Sequence, residues 1–215
     1  MKITTRFINL FLFYFIAFFF ICSASCSDFG EKPELLDSFD FSPTLRTPFA
    51  SEFYLGRSKI ILEKSTLNDV MNLIKIGRIQ HQGDAGGSEY SLCYDGLYRG
   101  MKFRIWIISS ELGGPSHYIE SVTLKYNKNN TDSLTHCYKL PKKFGKVTIK
   151  NEIWIGMNEK GIENKVGRPS YIKNTSWFYY YSKEIPQKGN ITSVFKLNFD
   201  NKKVNSIILF KATTY

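Results

Sequence analysis

Ile155-Gly156-Met157-Asn158-Glu159-Lys160-Gly161-Ile162, then Val166-Gly167-Arg168-Pro169, then Trp177-Phe178-Tyr179-Tyr180-Tyr181, is the stretch on which the reading of the fold turns. Asn158 is a residue type that starts helices, because its side-chain oxygen accepts from an otherwise unpaired amide of the first turn. Ile162 and Val166 lie four apart on one helix face, and Gly167-Arg168-Pro169 ends the segment. Trp177 to Tyr181 then reads as a strand, followed by a second at Val194 to Phe199 and a third at Val204 to Lys211.

The same order occurs earlier in a weaker form. Lys59 to Leu62 is a short apolar run, and Thr66-Leu67-Asn68-Asp69 is a capping-box-like start. Leu67, Val70, Met71 and Ile74 follow on one helical face, with Gly77 as the expected stop. Tyr90 to Tyr94, Lys102 to Ser109 and Ile119 to Tyr126 read as three strands. Ile119, Ser121, Val122 and Leu124 correspond to Val204, Ser206, Ile207 and Leu209. The expected fold is therefore α+β. It consists of two tandem repeats, residues 51–137 and 138–215, each a short helix or helix pair packed on a three- to four-stranded antiparallel sheet.

Upstream of both, Lys2 and Arg6 precede an almost unbroken apolar run from Phe7 to Cys22, and Ser23-Ala24-Ser25 supplies small residues for cleavage. Residues 1–25 read as a secretory signal, with an uncleaved membrane anchor as the alternative. Residues 26–50 contain Pro33, Pro43 and Pro48 without helical or strand period and read as a tether, although Phe39, Phe41 and Phe49 suit docking on the first repeat. Setting aside Cys22 and Cys26 leaves Cys93 and Cys137 as an even pair, expected to form one disulfide in an oxidising compartment.

Charge divides unevenly along the chain. Residues 26–137 carry 12 Lys and Arg against 14 Asp and Glu, whereas residues 138–215 carry 15 against 5. The basic half suits an acidic protein partner or anionic headgroups, and an export signal argues against nucleic acid. A solvated lysine-rich surface explains the same charge.

His81, His117 and His136 lack metal spacing, no Gly-x-Ser-x-Gly elbow occurs, and Gly83 to Gly87 lacks the Lys-Ser/Thr of a phosphate loop. Glu111 and Glu120 have no visible partner. The expectation is no catalytic residue, no metal site, no cofactor and no small-molecule substrate. The alternative is an envelope hydrolase using His117 or His136 with a nearby carboxylate.

The aromatic residues are the sharper signal. Trp177, Tyr179 and Tyr181 alternate on one strand face and Phe178 and Tyr180 on the other, while Tyr90, Tyr94 and Trp106 form a related set upstream. Either both sets are core and packing between repeats, or one forms a protein-binding face, for which Tyr90, Tyr94, Trp106, Trp177, Tyr179 and Tyr181 are the candidates.

Gly-Met, a short helix, Val-Gly-x-Pro, Trp-Phe-Tyr and an alternation ending Asn-Phe-Asp-Asn-Lys-Lys-Val-Asn-Ser-Ile resemble the outer-membrane-assembly lipoproteins of the BamE/OmlA (SmpA) type, over about residues 153–209 and more weakly over 58–126. The tandem arrangement is similar to the secreted β-lactamase-inhibitor proteins (BLIP). Ser23-Ala24-Ser25-Cys26 looks like a lipobox, which implies lipid attachment at Cys26; Ser23 departs from the pattern, and ordinary cleavage near Ala24 is the alternative. The resemblance implies a non-enzymatic protein-binding module. It would sit on the periplasmic face of the outer membrane through its lipid, or be soluble in the periplasm or secreted, as an assembly accessory or an inhibitor or immunity factor. Fold does not fix function.

Overall fold

The Thr66 hydroxyl accepts from the Asp69 amide at 3.1 Å while the Asp69 carboxylate accepts from the Thr66 amide at 2.8 Å, so both capping bonds expected at this position form. They start helix α1 (Leu67–Ile74), which ends at Lys75 in the left-handed region, two residues before the expected Gly77. Asn158 Oδ1 likewise accepts from the Gly161 amide at 2.7 Å and starts helix α2 (Glu159–Val166), which Gly167 ends. The computed structural model describes residues 45–84, 87–127, 137–150, 152–186 and 189–215. The expected signal, the Cys26 lipid site, Phe39, Phe41 and His136 lie outside the described residues.

Apart from 3-10 turns at Glu111–Gly113 and Lys142–Phe144, the remaining elements are strands, which number twelve among the described residues. They are β1 (Glu52–Leu55), β2 (Ser58–Ile61), β3 (Gln80–Asp84), β4 (Gly87–Tyr98), β5 (Met101–Ser110) and β6 (Ser121–Tyr126). Then come β7 (Tyr138–Lys139), β8 (Val147–Ile149), β9 (Tyr171–Lys173), β10 (Ser176–Ile185), β11 (Gly189–Asp200) and β12 (Lys203–Thr214). A small sheet has the order β2-β1-β8. The large sheet runs β3-β4-β5-β6-β12-β11-β10-β9, all antiparallel neighbours, with β7 joined in parallel to β4 as its ninth strand.

This corrects the expected fold class. Of the described residues 55% are strand and 14% helix, and the strands form a large nine-stranded sheet rather than two tandem helix-on-sheet repeats. Two physical causes account for the difference. The edges of β6 and β12 satisfy each other's backbone groups, from Ser121 against Phe210 to Lys125 against Ser206. Pairing removes two exposed edges that separate sheets would have to protect. In addition, each helix has only eight residues, about 12 Å of rise, too short to cover a strand of ten or twelve residues.

Side-chain alternation then builds one core across the whole sheet. Leu92, Ile107, Val122, Leu209, Phe195 and Tyr179 are successive cross-strand partners and all are fully buried. The same core takes in Leu67, Val70 and Ile74 of α1, Ile162 of α2, and Phe53, Leu55, Val147 and Ile149 of the small sheet. Phe49, read as part of a tether, is buried with its ring stacked 4.2 Å from Phe195 and 5.2 Å from Tyr179. Phe49 thus stacks its ring on residues of the chain's second half, where docking on the first repeat was expected. Cys93 and Cys137 form a disulfide with their Cα atoms 4.7 Å apart, holding the start of β7 against β4.

Candidate binding surfaces

Strand alternation decides where each aromatic candidate goes. Tyr94 and Tyr179 lie in the core with no exposed surface, and Tyr181 is buried. Their positions are explained by internal bonds: the Tyr94 hydroxyl donates to the Ile76 carbonyl at 2.9 Å, and that of Tyr179 to the Gly167 carbonyl at 3.0 Å. Each bond ties a sheet strand to the chain just past a helix. Burial pushes the Tyr94 hydroxyl up to about 12. Trp177 is half-buried on Phe199, with ring centroids 4.8 Å apart. Tyr90 is half-buried between two histidines, 4.6 Å from the His81 ring and 4.0 Å from that of His117. Trp106 points to the opposite face, in the row Cys93, Trp106, Thr123, Ile208, Lys196 and Phe178. The structure therefore does not gather the six candidates onto one surface.

A different set of side chains converges at the end of the sheet where β4 turns into β5. Leu97 is 62% exposed there, and the Arg99 guanidinium lies 4.8 Å from the Trp154 ring and 5.4 Å from that of Tyr98. The β1–β2 turn meets the same end, since the Gly56 amide donates to the Lys146 carbonyl at 2.8 Å and Arg57 beside it is exposed. A 3-10 turn at Lys142–Phe144 buries Phe144 and leaves Lys142 and Lys143 exposed. Gly145 after it lies so close to the Leu97 carbonyl that an added Cβ would come within 3.0 Å of it. Lys146 pairs with Glu152 at 3.0 Å. Exposed Arg57, Arg99, Lys142 and Lys143 thus lie on the loops at the end of the sheet that carries exposed Leu97, with Arg99 over half-buried Tyr98 and Trp154. Only the excess of lysine in residues 138–215 hinted at this in the sequence. The contributing loops are distant along the chain, and two of the cations come from the half whose net charge is negative.

At the opposite end of β5 a cleft of about 610 Å³ opens on the core face. Glu63, in a left-handed turn after β2, donates its amide to the Ile119 carbonyl at 2.7 Å. Its Oε2 accepts from Lys211 Nζ at 2.6 Å and from Thr213 Oγ1 at 3.1 Å. Glu120 is 4% exposed, and its Oε2 accepts from the Ser110 amide at 3.3 Å and from the Ser110 hydroxyl. Burial raises the Glu120 carboxyl above the usual carboxylate range, the Ser110 bonds oppose this, and the Glu63 charge adds to it. Glu111, also without a visible partner in the sequence, accepts from the Ser88 amide at 3.1 Å. The sequence singles out Glu120 without a partner and gives no sign of Glu63 or Lys211, because the three lie far apart along the chain and match no motif.

Glu120 makes the stability of the fold depend on pH. Its folded-state value lies above the unfolded one, so the folded state holds this proton longer and the group favours folding in acid. That contribution is lost as pH rises through the raised value, with Glu63, itself paired with Lys211, the charge acting on it. E120Q keeps the acceptor but not the charge. Urea unfolding from pH 4 to pH 8 should show the variant gaining on the parent as pH rises; a flat difference would mean that Glu120 is not held protonated by burial.

His117, the described member of the pair considered for hydrolysis, packs on Tyr90 with Nδ1 buried and without a partner. No group of three metal-capable side chains occurs among the described residues.

The chain matches no known family, no curated protein and no solved structure.

Proposed function

We propose that this chain is an exported, lipid-anchored, non-enzymatic protein-binding module of the bacterial envelope, and that its partner is acidic. The observation that carries this reading is the basic end of the large sheet, whose loops expose Arg57, Arg99, Lys142 and Lys143 together with Leu97, with Tyr98 and Trp154 beneath Arg99. Arginine, tyrosine and tryptophan supply most of the energy of protein interfaces, and a local excess of one charge steers and selects the partner. The Cys93–Cys137 disulfide and the leader-like residues 1–25 support export. The resemblance to assembly lipoproteins, and to inhibitors that act by binding, supports a binding role over hydrolysis.

The test is a crosslinking pull-down from intact envelopes with the native protein, the R99E/K142E/K143E variant and L97D. These residues are exposed, so circular dichroism melts should be unchanged. One stoichiometric partner is expected, bound at least about tenfold more weakly by each variant, the loss expected on removing a residue that contributes more than about 1.4 kcal/mol. Its identity separates an assembly role from an inhibitor or immunity role. Equal recovery by all three proteins would dismiss this surface as the binding site.

A further inference from the structure

Every second residue of the central strands points away from the core. On that outer face Trp106, Thr123, Ile208 and Lys196 form one row, and Ile108, Ser121, Phe210 and Val194 the next. Val194 and Thr123 are 1% exposed, Ser121 2%, and Ile108 and Ile208 6%. A sheet face that looks at water keeps polar, accessible side chains, so this face is covered. Ile108, Val194 and Ile208 do not belong to the core cluster, and both helices and the small sheet pack into that core from the other side. No helix or strand among the described residues is left to lie over the outer face.

The cover is apolar where it meets β6. Ser121 Oγ and Thr123 Oγ1 are buried without a hydrogen-bond partner, and a polar segment laid on them would supply one. Residues 128–136, which lead from β6 towards Cys137, are rich in Asn, Ser and Thr and contain Leu134 as their one large apolar residue. The other approach is from β10. There the Leu45 amide donates to the Tyr180 carbonyl at 3.3 Å, and Phe49 passes from this edge onto the core face. The compact unit that holds the sheet begins at Leu35 and leaves out Thr131–Thr135.

Residues 35–44 have the composition such a cover needs. They carry Leu35, Leu36, Phe39 and Phe41, with Asp37 and Asp40 and no basic residue. Lys125 and Lys196 stand on the outer face, so the charges are complementary. A stretch of this length reaches about 33 Å when extended. The distance across the face from β10 to β5 is four strand spacings, about 19 Å. We propose that residues 35–44 turn round the β10 edge and dock on the outer face, with Phe39 and Phe41 set against Val194, Ile208 and Ile108. The site is thus a docking surface for the chain's own N-terminal segment, and it is independent of the basic surface. Docking leaves residues 27–34 as the spacer to Cys26.

The test is methyl nuclear magnetic resonance on the full chain in detergent micelles, with isoleucine and valine methyl groups labelled. Nuclear Overhauser contacts are expected from the Phe39 and Phe41 rings to the methyls of Ile108, Val194 and Ile208. F39S/F41S should shift those three sets of methyls and leave those of Ile107 and Val122, on the core face, in place; F29S should shift none. The contacts in the parent protein need no variant, so a variant that fails to fold leaves the test standing. Contacts from detergent chains to the same methyls would make this a membrane-facing surface. Contacts from the rings of residues 7–20 would give the place to the leader, and shifts that depend on protein concentration would give it to a second copy. Absence of contacts with unchanged shifts in F39S/F41S would leave residues 35–44 undocked. Each of these four outcomes overturns the proposal.

Discussion

Replacing Cys93 and Cys137 together by serine should destabilise the protein by about 4 kcal/mol, the chain-entropy value for a bridge of this span. The disulfide closes a loop across 44 positions that contains all of β5 and β6, the central strands of the first half of the sheet. It also anchors β7, whose two residues pair with β4 at Tyr94 and Asp95. Two residues of parallel pairing are too few to hold the chain there unaided. In the variant the melting temperature should fall by on the order of 10 °C for a chain of this size, and the amides of Tyr138 to Leu140 should exchange first. A dithiothreitol titration of the parent should give the same loss. If both treatments left the melt unchanged, the bridge would be incidental to stability.

Leu209→Ala should cost about 2–5 kcal/mol, the range for truncating a fully buried leucine. Leu209 has no exposed surface and is the cross-strand partner both of Val122, across the β6–β12 junction, and of Phe195. The cavity therefore opens at the middle of the row that joins the two halves. Since the sheet is continuous at this point, urea unfolding should remain one transition with a lower midpoint, and amide protection should fall together in β5 and β11. Loss of protection in β11 alone, with β5 unaffected, would mean that the halves fold separately despite the shared ladder. The magnitude depends on how far Val122, Phe195 and the covering small sheet relax into the space.

Both predictions rest on features with different histories in the sequence. Cysteine arithmetic pointed to Cys93 and Cys137, because an exported chain with two cysteines left over has one pairing available. Nothing comparable marked Leu209 as a junction. Its strand was legible from alternation, but which strand lay beside it was not. An antiparallel edge accepts any partner whose apolar face matches, so periodicity names a strand's buried side without naming its neighbour.

The aromatic residues illustrate the same limit. Period-two alternation correctly separated Trp177, Tyr179 and Tyr181 from Phe178 and Tyr180. It was silent on which face the small sheet and Phe49 would cover. Tyr179 is covered by Phe49, which comes from a segment that reads as a linker and crosses more than a hundred positions to pack there.

Local chemistry is written in the order of residues and reads out directly. The Thr66 and Asn158 caps, the glycine end of the second helix, the three principal strands of each half and the disulfide all depend on side chains near in sequence or on simple parity. Long-range choices depend on free energies of burial summed over the whole chain: the merging of β6 with β12, the small sheet laid over the core, the basic loops brought together, and Glu63 brought to Glu120 and Lys211. No local pattern encodes those sums, so the sheet's continuity and both candidate surfaces exist only once the chain has folded.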